Sequence, residues 1–229
     1  MTGDSRSKLS WAPPVVQSVD GHSFAVRHIW CVGRNYAAHA REMGVDPTRS
    51  PPVFFAKPSM AAVQVSTVNY PRNTRDLHHE VELAVLLATG GRDGPADTWR
   101  DRIWGYAVAV DLTRRDLQAR FKAAGQPWEL SKGFDCSAPM GPVTGGSDWQ
   151  PRPDTVIELS VNDRLRQRGQ LSEMIWSIPA LLEHLSSELT LNAGDVILTG
   201  TPAGVGPIEP GDRVEARIEG LSPCRFQVV

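Results

Sequence analysis

The chain lacks several features that would assign it to a specialised class of protein. Its three cysteines, Cys31, Cys136 and Cys224, are far apart and form no Cys-x-x-Cys pair, so we expect no disulfide framework. No apolar run approaches the ~20 residues that span a bilayer. The N-terminal segment MTGDSRSKLSW also lacks the apolar stretch of a signal peptide. These absences predict a soluble protein of the cytoplasm with no membrane partner.

Charge of one sign is also scarce. The chain has 24 Lys and Arg against 26 Asp and Glu, a formal net charge of −2, and no long run of like charge. Proteins that bind nucleic acid usually concentrate basic residues in a stripe, so we expect no nucleic-acid partner. The 41% of hydrophobic residues is too high for a disordered chain.

Proline and glycine are abundant instead. The 229 residues include 18 Pro and 20 Gly, which argues against a helical bundle and for short elements joined by turns. No linker is long enough to divide the chain. Seven strand-like runs separated by turn residues are predicted as strands: Phe24–Val32, Val53–Ala56, Glu80–Leu87, Tyr106–Val110, Val156–Val161, Val196–Leu198 and Arg213–Ile218.

Helical signals are fewer, so the expected class is α+β in one domain. A short helix is predicted over Tyr36–Met43, before a Pro-rich loop that resembles a lid. A second helix is expected to begin at the capping-box spacing Thr113–Asp116 and to end at Gly125. A third begins at Ser177 and carries a leucine stripe. Val161–Leu165 predicts a hairpin turn with Asn-Asp at its tip.

Three acidic residues form the most informative pattern. In a strand, His78, Glu80 and Glu82 would share one face, and buried carboxylates there would need protons or a cation. Asp111 ends a second apolar strand. Three carboxylates favour Mg²⁺, Mn²⁺ or Ca²⁺. The alternatives are a solvated strand face, Asp111 as a helix N-cap, and a zinc or iron site built from His78, Glu80 and Glu82.

Two further segments have chemical interpretations. His39 and Glu42 share a helical face, where the carboxylate would orient the imidazole as a general base; an exposed surface pair is the alternative. The glycine-rich segment Leu198–Gly206 lacks the lysine of a nucleotide-binding P-loop. It is either an anion-binding turn or a structural one.

Taken together, the motifs resemble the fumarylacetoacetate hydrolase family. The resemblance runs from about Ile29 to the C-terminus and is nearest to small single-domain acylpyruvases, oxaloacetate decarboxylases and fumarylpyruvate hydrolases. It rests on seven segments in this order: VGRNYAAHAREM, FFAKPS, LHHEVELAV, GYAVAVDLTRRDLQ, PWELSKGFD, MIWSIPALLEHLS and DVILTGTPAGVGPIEPGD.

The resemblance implies a bent mixed β-sheet roll with a few flanking helices, usually a homodimer. Residues 26–229 would form one catalytic domain after a partly loose extension, residues 1–25. Glu80, Glu82 and Asp111 would bind Mg²⁺ or Mn²⁺, with Ca²⁺ as a further candidate.

The resemblance also implies roles for residues around the metal. His39 and Glu42 match the dyad of a lid helix that activates water, and Lys132 matches an active-site lysine. Four further residues would contact the substrate: Gln118, Thr201, Arg34 and Lys57.

The activity that follows is hydrolysis of the C–C bond of acylpyruvates, with fumarylpyruvate as the first substrate to test and a place in aromatic catabolism. The substrate is then a small anionic 2-oxo acid. Decarboxylation of oxaloacetate and isomerisation of an unsaturated 2-oxo diacid are the enzymatic alternatives. A non-catalytic protein that binds 2-oxo acids is the alternative of a different class.

Overall fold

The computed structural model describes residues 11–42, 46 and 51–229. Its helices are α1 Ala37–Glu42, α2 Arg115–Ala123, α3 Glu129–Lys132 and α4 Ile178–Glu188. Its strands are β1 Val15–Gln17, β2 Ser23–Ala25, β3 His28–Gly33, β4 Val53–Lys57, β5 Ala62–Val63, β6 Thr67–Val68, β7 Leu77–His79, β8 Val81–Leu87, β9 Ile103–Val110, β10 Thr113–Arg114, β11 Ala138–Pro139, β12 Thr144–Gly145, β13 Val156–Val161, β14 Arg164–Gln170, β15 Asp195–Leu198, β16 Gly206–Ile208, β17 Arg213–Ile218 and β18 Cys224–Val228.

Two mixed sheets dominate the fold. The larger has six strands in the order β12-β9-β8-β15-β3-β4, and the other has five in the order β14-β13-β17-β18-β6. Most neighbours are antiparallel, while β15 runs parallel to β3 and β18 parallel to β6. Strands β10, β7 and β16 form a separate three-stranded sheet with β7 in the middle. The predicted α+β class with more strand than helix is confirmed.

Strand β8 divides the hydrophobic core into two clusters. All seven of its residues are buried. Leu83 and Val85 contact one cluster, shared with β13, β17, β18 and α4, whereas Ala84 and Leu86 contact the other. This division follows from the alternation of side chains along a strand. Because β8 is buried on both faces, a carboxylate at its start is removed from water and needs a compensating charge or proton.

The N-terminal segment before β3 is packed against this core. Strands β1 and β2 pair antiparallel, and Val16 and Phe24 belong to the second core cluster. The predicted extension therefore contains an ordered ribbon from residue 15 to residue 25. Residues 1–10 lie outside the described part of the chain.

Several predicted elements are confirmed with shifted ends. The single strand predicted over Phe24–Val32 is two strands, β2 and β3, because the chain leaves the ribbon at residues 26–27. The hairpin turn is confirmed, since Asn162 and Asp163 both have positive φ, as a type I′ turn requires. Helix α1 covers most of the predicted short helix. Met43, Gly44 and most of the predicted lid lie outside the described residues.

The capping box predicted at Thr113–Asp116 is wrong. Thr113 pairs with His78 as part of β10, and helix α2 begins at Arg115 with no side-chain cap. The Asp116 carboxylate instead accepts hydrogen bonds from Thr74 Oγ1 at 2.6 Å and from the backbone nitrogen of Arg75 at 3.0 Å. Strand pairing with a distant segment therefore outweighs the local capping signal. Among the described residues, no helix is long and apolar enough to cross a membrane.

Candidate metal and substrate site

Two neighbouring strands, β8 and β9, bring the predicted acidic residues together at one end of the six-stranded sheet, and the turn after β15 contacts one of them. In the β8–β9 pair, Val81 lies opposite Val110, and the Asp111 nitrogen donates to the Glu80 carbonyl at 2.8 Å. On the other side of β8, the Gly200 nitrogen, just beyond β15, donates to Glu82 Oε2 at 2.7 Å. Register alone therefore places residues from three parts of the chain side by side.

The carboxylates of Glu80, Glu82 and Asp111 form a compact buried cluster. Ligand oxygens from the three residues lie within 4.8 Å of one another. Their residues are only 5%, 2% and 0% exposed, which excludes a solvated strand face. Asp111 is not a helix N-cap, because α2 begins four residues later.

The rival site built on His78 does not form. His78 lies outside the carboxylate cluster. Its Nε2 is 2.8 Å from Asp76, and its Nδ1 accepts a hydrogen bond from Arg115 Nε at 3.3 Å. Its neighbour His79 points the other way, with Nδ1 2.9 Å from Gln167 Oε1, and burial lowers the pKa of His79 to about 4. Neither imidazole is placed to complete a zinc or iron site.

Three cations contact the cluster. The Lys132 ammonium lies 2.8 Å from both Glu80 Oε2 and Asp111 Oδ2, so it bridges two carboxylates. The Lys57 ammonium lies 2.7 Å from Asp111 Oδ1 and donates to the Leu112 carbonyl at 3.1 Å and to the Lys132 carbonyl. Arg115, which sequence reasoning missed, donates to Glu80 Oε1 and to Gln118 Oε1.

These contacts shift the pKa values of Glu80, Lys132 and Glu82 in different directions. Burial would raise the pKa of Glu80, but Lys132 and Arg115 hold it well below its usual value. Burial would lower the pKa of Lys132, but the charges of Asp111 and Glu80 outweigh burial and raise it. The pKa of Glu82 is raised by burial and by repulsion from Asp111 and Glu80. Glu82 is therefore the carboxylate whose charge the protein compensates least.

The donor set fits a hard divalent cation. All three candidate ligands are carboxylates, which suit Mg²⁺, Mn²⁺ or Ca²⁺ better than zinc. Asp111 Oδ1 is buried and accepts no hydrogen bond, although the Lys57 ammonium is close to it. The raised pKa of Glu82 points to the same need for further positive charge.

The glycine-rich segment after β15 forms the turn that carries Thr201. Gly200 has φ +95°, and a Cβ there would lie 2.8 Å from the Asn35 Cβ. Only glycine fits this close approach with this backbone conformation. Asn35 holds the turn from the other side, because its Nδ2 donates to the Thr199 and Trp176 carbonyls at 2.8 and 3.0 Å.

Helix α1 brings His39 and Glu42 together. His39 Nδ1 lies 3.3 Å from Glu42 Oε2, and the His39 side chain is 8% exposed against 43% for Glu42. A carboxylate can only accept a hydrogen bond, so in the neutral ring this contact places the proton on Nδ1. Nε2 is then the atom able to accept a proton.

Most of the predicted site residues line one cleft, together with the carboxylates Glu80 and Glu82. The predicted residues that contribute side chains to it are Arg34, His39, Gln118, Lys132 and Thr201. Lys57 does not: it is 1% exposed, and its ammonium pairs with Asp111 instead. Sequence reasoning missed Arg115, Lys122 and Trp128 in the cleft. The spacing of Arg115, Gln118 and Lys122 on one helical face was the available signal.

A larger groove of about 410 Å³ shares no lining residue with the cleft. It is mainly apolar, with Trp99, Tyr106, Ile178 and Leu182 among its lining residues. No Asp, Glu, His or Cys lines it, so it offers no carboxylate, imidazole or thiolate as a metal ligand.

This buried carboxylate site on a mixed β-fold agrees with the family comparison. The fumarylacetoacetate (FAA) hydrolase C-terminal family model matches residues 28–229. The chain belongs to the fumarylacetoacetate hydrolase family, whose members are enzymes.

Relatives within the family carry more than one activity. A mitochondrial oxaloacetate tautomerase of Oryza sativa subsp. japonica is 45% identical over 201 residues, 86% of this chain and 88% of that protein. A mitochondrial oxaloacetate tautomerase of Mus musculus is 46% identical over 204 residues, 88% of this chain and 91% of that protein. The crystal structure of fumarylpyruvate hydrolase from Pseudomonas aeruginosa in complex with Mn²⁺ and pyruvate has a TM-score of 0.94 and 42% identity, covering 97% of this chain and 98% of that one.

The raised pKa of Glu82 predicts a pH dependence of the metal-free protein. The folded state holds a proton on Glu82 at pH values where the unfolded chain has lost it, so stability is full below the ordinary value of 4.5. It is lost as the pH rises through the higher folded-state pKa. We expect the free energy of unfolding, measured by urea denaturation in chelator, to fall less steeply with rising pH in Glu82→Gln than in the wild type.

The exposed residue Glu183 on α4 provides the matched control, since Glu183→Gln makes the same chemical change at the surface. This variant should keep the wild-type slope. Equal slopes for the wild type and Glu82→Gln would contradict the assignment of the raised pKa.

Proposed function

We propose that the protein is a metal-dependent hydrolase that cleaves the C–C bond of acylpyruvates, with fumarylpyruvate as the preferred substrate, to pyruvate and a carboxylic acid. The observation that carries the proposal is the buried cluster of Glu80, Glu82 and Asp111 beside a cleft that His39 also lines. The similarity to a fumarylpyruvate hydrolase that binds Mn²⁺ and pyruvate supports it.

The three carboxylates are the proposed ligands of Mg²⁺ or Mn²⁺, with Ca²⁺ as a further candidate. When bound, the ion would supply Lewis-acid polarisation of the 2-oxo group of the substrate. Lys57 would hold Asp111 in place through its ion pair at 2.7 Å. Lys132 and Arg115 would keep Glu80 ionised and therefore able to act as a ligand.

The carboxylate end of the substrate meets polar groups of the cleft. Gln118 and Thr201 line it and can donate hydrogen bonds to an anionic substrate. The Lys132 ammonium adds positive charge at the same end of the site. This charge is useful in the transition state, because cleavage of the C3–C4 bond leaves the electron pair on the pyruvate fragment as an enolate.

Hydrolysis also needs a base. His39 Nε2 would take a proton from water, whose oxygen attacks the 4-carbonyl carbon, while Glu42 holds the other ring nitrogen. The imidazolium then returns this proton to C3 of the enolate, and the two products are pyruvate and a carboxylic acid. A base of this kind contributes roughly 10²–10⁴-fold to the rate.

Two cations favour a substrate with a second carboxylate. Arg34 lies over the Trp128 ring at 6.0 Å from its centroid, and Lys122 follows Gln118 by one turn of α2. Both line the cleft, and neither has an ion-pair partner among the residues that the structure describes. Fumarylpyruvate has a distal carboxylate that they could bind, whereas acetylpyruvate has none.

Oxaloacetate chemistry is the second candidate function, favoured by the two oxaloacetate tautomerases at 45% and 46% identity. Keto–enol exchange moves one proton between carbon and oxygen and needs no attacking water. Decarboxylation of oxaloacetate and isomerisation of an unsaturated 2-oxo diacid likewise pass through an enolate. We further propose that residues 26–229 form one catalytic domain and that the protein is a homodimer. We place it in the cytoplasm, with a role in aromatic catabolism.

Loss of one carboxylate should remove all of these activities. Glu82→Gln replaces a charged ligand by a neutral amide, so we expect no pyruvate release from fumarylpyruvate, acetylpyruvate or oxaloacetate with Mg²⁺ or Mn²⁺. Glu183→Gln should keep full activity. Turnover that survives both Glu82→Gln and chelation of the wild type would rule out metal dependence.

Replacement of His39 should separate hydrolysis from decarboxylation. His39→Ala removes the proposed base for water, so we expect kcat for fumarylpyruvate to fall roughly 10²–10⁴-fold. The rate of oxaloacetate decarboxylation, measured as CO₂ release, should fall much less. His22→Ala, a change at an exposed histidine in the β1–β2 turn, is the control. Equal losses in the two reactions would show that His39 is not chiefly the hydrolytic base.

The distal-carboxylate interpretation makes a prediction about Lys122. Exposed ion pairs contribute about 0.2–1 kcal/mol, so Lys122→Met should raise KM for fumarylpyruvate by roughly 1.4- to fivefold. KM for acetylpyruvate should stay unchanged. Arg120→Met, on the same helix, is the matched control. A parallel rise in KM for both substrates would count against a role in recognising the distal carboxylate.

A further inference from the structure

Gln167 is a fully buried polar residue on a strand that is otherwise mostly exposed. In β14 only Gln167 and Gly169 are buried. The pairing of β13 with β14 shifts between Leu159, opposite Gln167, and Ser160, opposite Leu165, so Arg166 is an extra residue in β14. A bulge of this kind redirects the side chain beside it. Here it turns Gln167 inward.

The glycine-rich turn packs directly on this bulge. Gly204 has φ +93°, and a Cβ at this position would lie 2.3 Å from the Arg166 carbonyl oxygen. The turn that carries Thr201 and the bulge that directs Gln167 therefore fit together only with glycine at this position.

The orientation of the Gln167 amide is fixed by two backbone groups. Its oxygen accepts a hydrogen bond from the Val81 nitrogen at 3.1 Å, and its nitrogen donates to the Pro202 carbonyl at 2.8 Å. A backbone N–H can only donate and a carbonyl can only accept, so the reversed amide would lose both bonds. The second amide hydrogen then points at Thr201 Oγ1, 2.7 Å away.

This orientation determines what the Thr201 hydroxyl can do. Its oxygen accepts the hydrogen bond from Gln167, so its own hydrogen is directed elsewhere. Within residues 11–42, 46 and 51–229, no acceptor for that hydrogen is found, and Thr201 lines the cleft with Glu82 and Lys132. The hydroxyl is thus available as a donor on the side where the substrate would lie.

We propose that Gln167 is a positioning residue that holds the Thr201 hydroxyl as a hydrogen-bond donor for the carboxylate of a 2-oxo acid. The inference rests on the proposed function for the identity of the ligand. Gln167 also holds Val81, which lies between Glu80 and Glu82, so one amide connects the carboxylate strand to the substrate turn.

A double-mutant cycle tests whether Gln167 acts through Thr201. Pyruvate binding to the Mn²⁺-loaded protein would be measured by titration calorimetry for the wild type, Gln167→Met, Thr201→Val and the double variant. We expect each single change to weaken binding about tenfold, because a hydrogen bond to a charged group is lost. In the Thr201→Val background, Gln167→Met should have less than about a twofold effect.

Controls separate positioning from general structural damage. Arg168→Met changes an exposed residue of the same strand and should leave pyruvate affinity unchanged. Gln167→Glu keeps the shape of the side chain without its N–H donor. It replaces Gln167→Met if that variant does not fold, with the same expected loss. Equal effects of the Gln167 change in both backgrounds would overturn the proposal.

The position of Thr201 gives a readout independent of pyruvate binding. In a crystal structure of the metal-loaded Gln167 variant, we expect Thr201 Oγ1 to leave its wild-type position. An unchanged Thr201 side chain would overturn the proposal. If the wild type binds no pyruvate, the proposed function is contradicted, while the Thr201 position still decides whether Gln167 orients it.

Discussion

Burial of like charge is the constraint on which the rest of this structure depends. Glu80, Glu82 and Asp111 are removed from water within 4.8 Å of one another, an arrangement that costs free energy unless positive charge is supplied. Lys132, Lys57 and Arg115 supply part of it. They compensate Glu82 least, so burial and repulsion from Asp111 and Glu80 raise its pKa, while that of Glu80 falls.

Two of the four helices supply part of this positive charge. Helices α2 and α3 both follow Asp111 in the chain, and they pack against β4, β7 and β10. Helix α2 contributes Arg115 and α3 contributes Lys132, so each helix delivers a cation to the same cluster. The sheet supplies the carboxylates and the helices supply the counter-charge. The cations of α2 and α3 thus meet the carboxylates at one end of strands β8 and β9.

Short-range patterns in the sequence predicted the three carboxylates of the site, because their positions follow from single strands. The alternation of Glu80 and Glu82, and an aspartate after an apolar run, depend only on strand geometry. Gln167 could not be predicted in this way, because its burial depends on a bulge in the β13–β14 pairing. Arg115 and Lys57 have counter-charges far away in the sequence. The capping box predicted at Thr113 is wrong for a similar reason. Thr113 pairs with His78 of β7, which lies far away in the sequence.

The position of β15 has a consequence for synthesis of the chain. β15 separates the antiparallel pair β8–β9 from the pair β3–β4, and it is made after all four of these strands. The two hairpin-like pairs can therefore join into one sheet only after residue 198 has left the ribosome. Such late, non-local pairing slows folding. The Gly200–Thr201 turn arrives with the same strand, so a nascent chain acquires its carboxylates early but its substrate turn last.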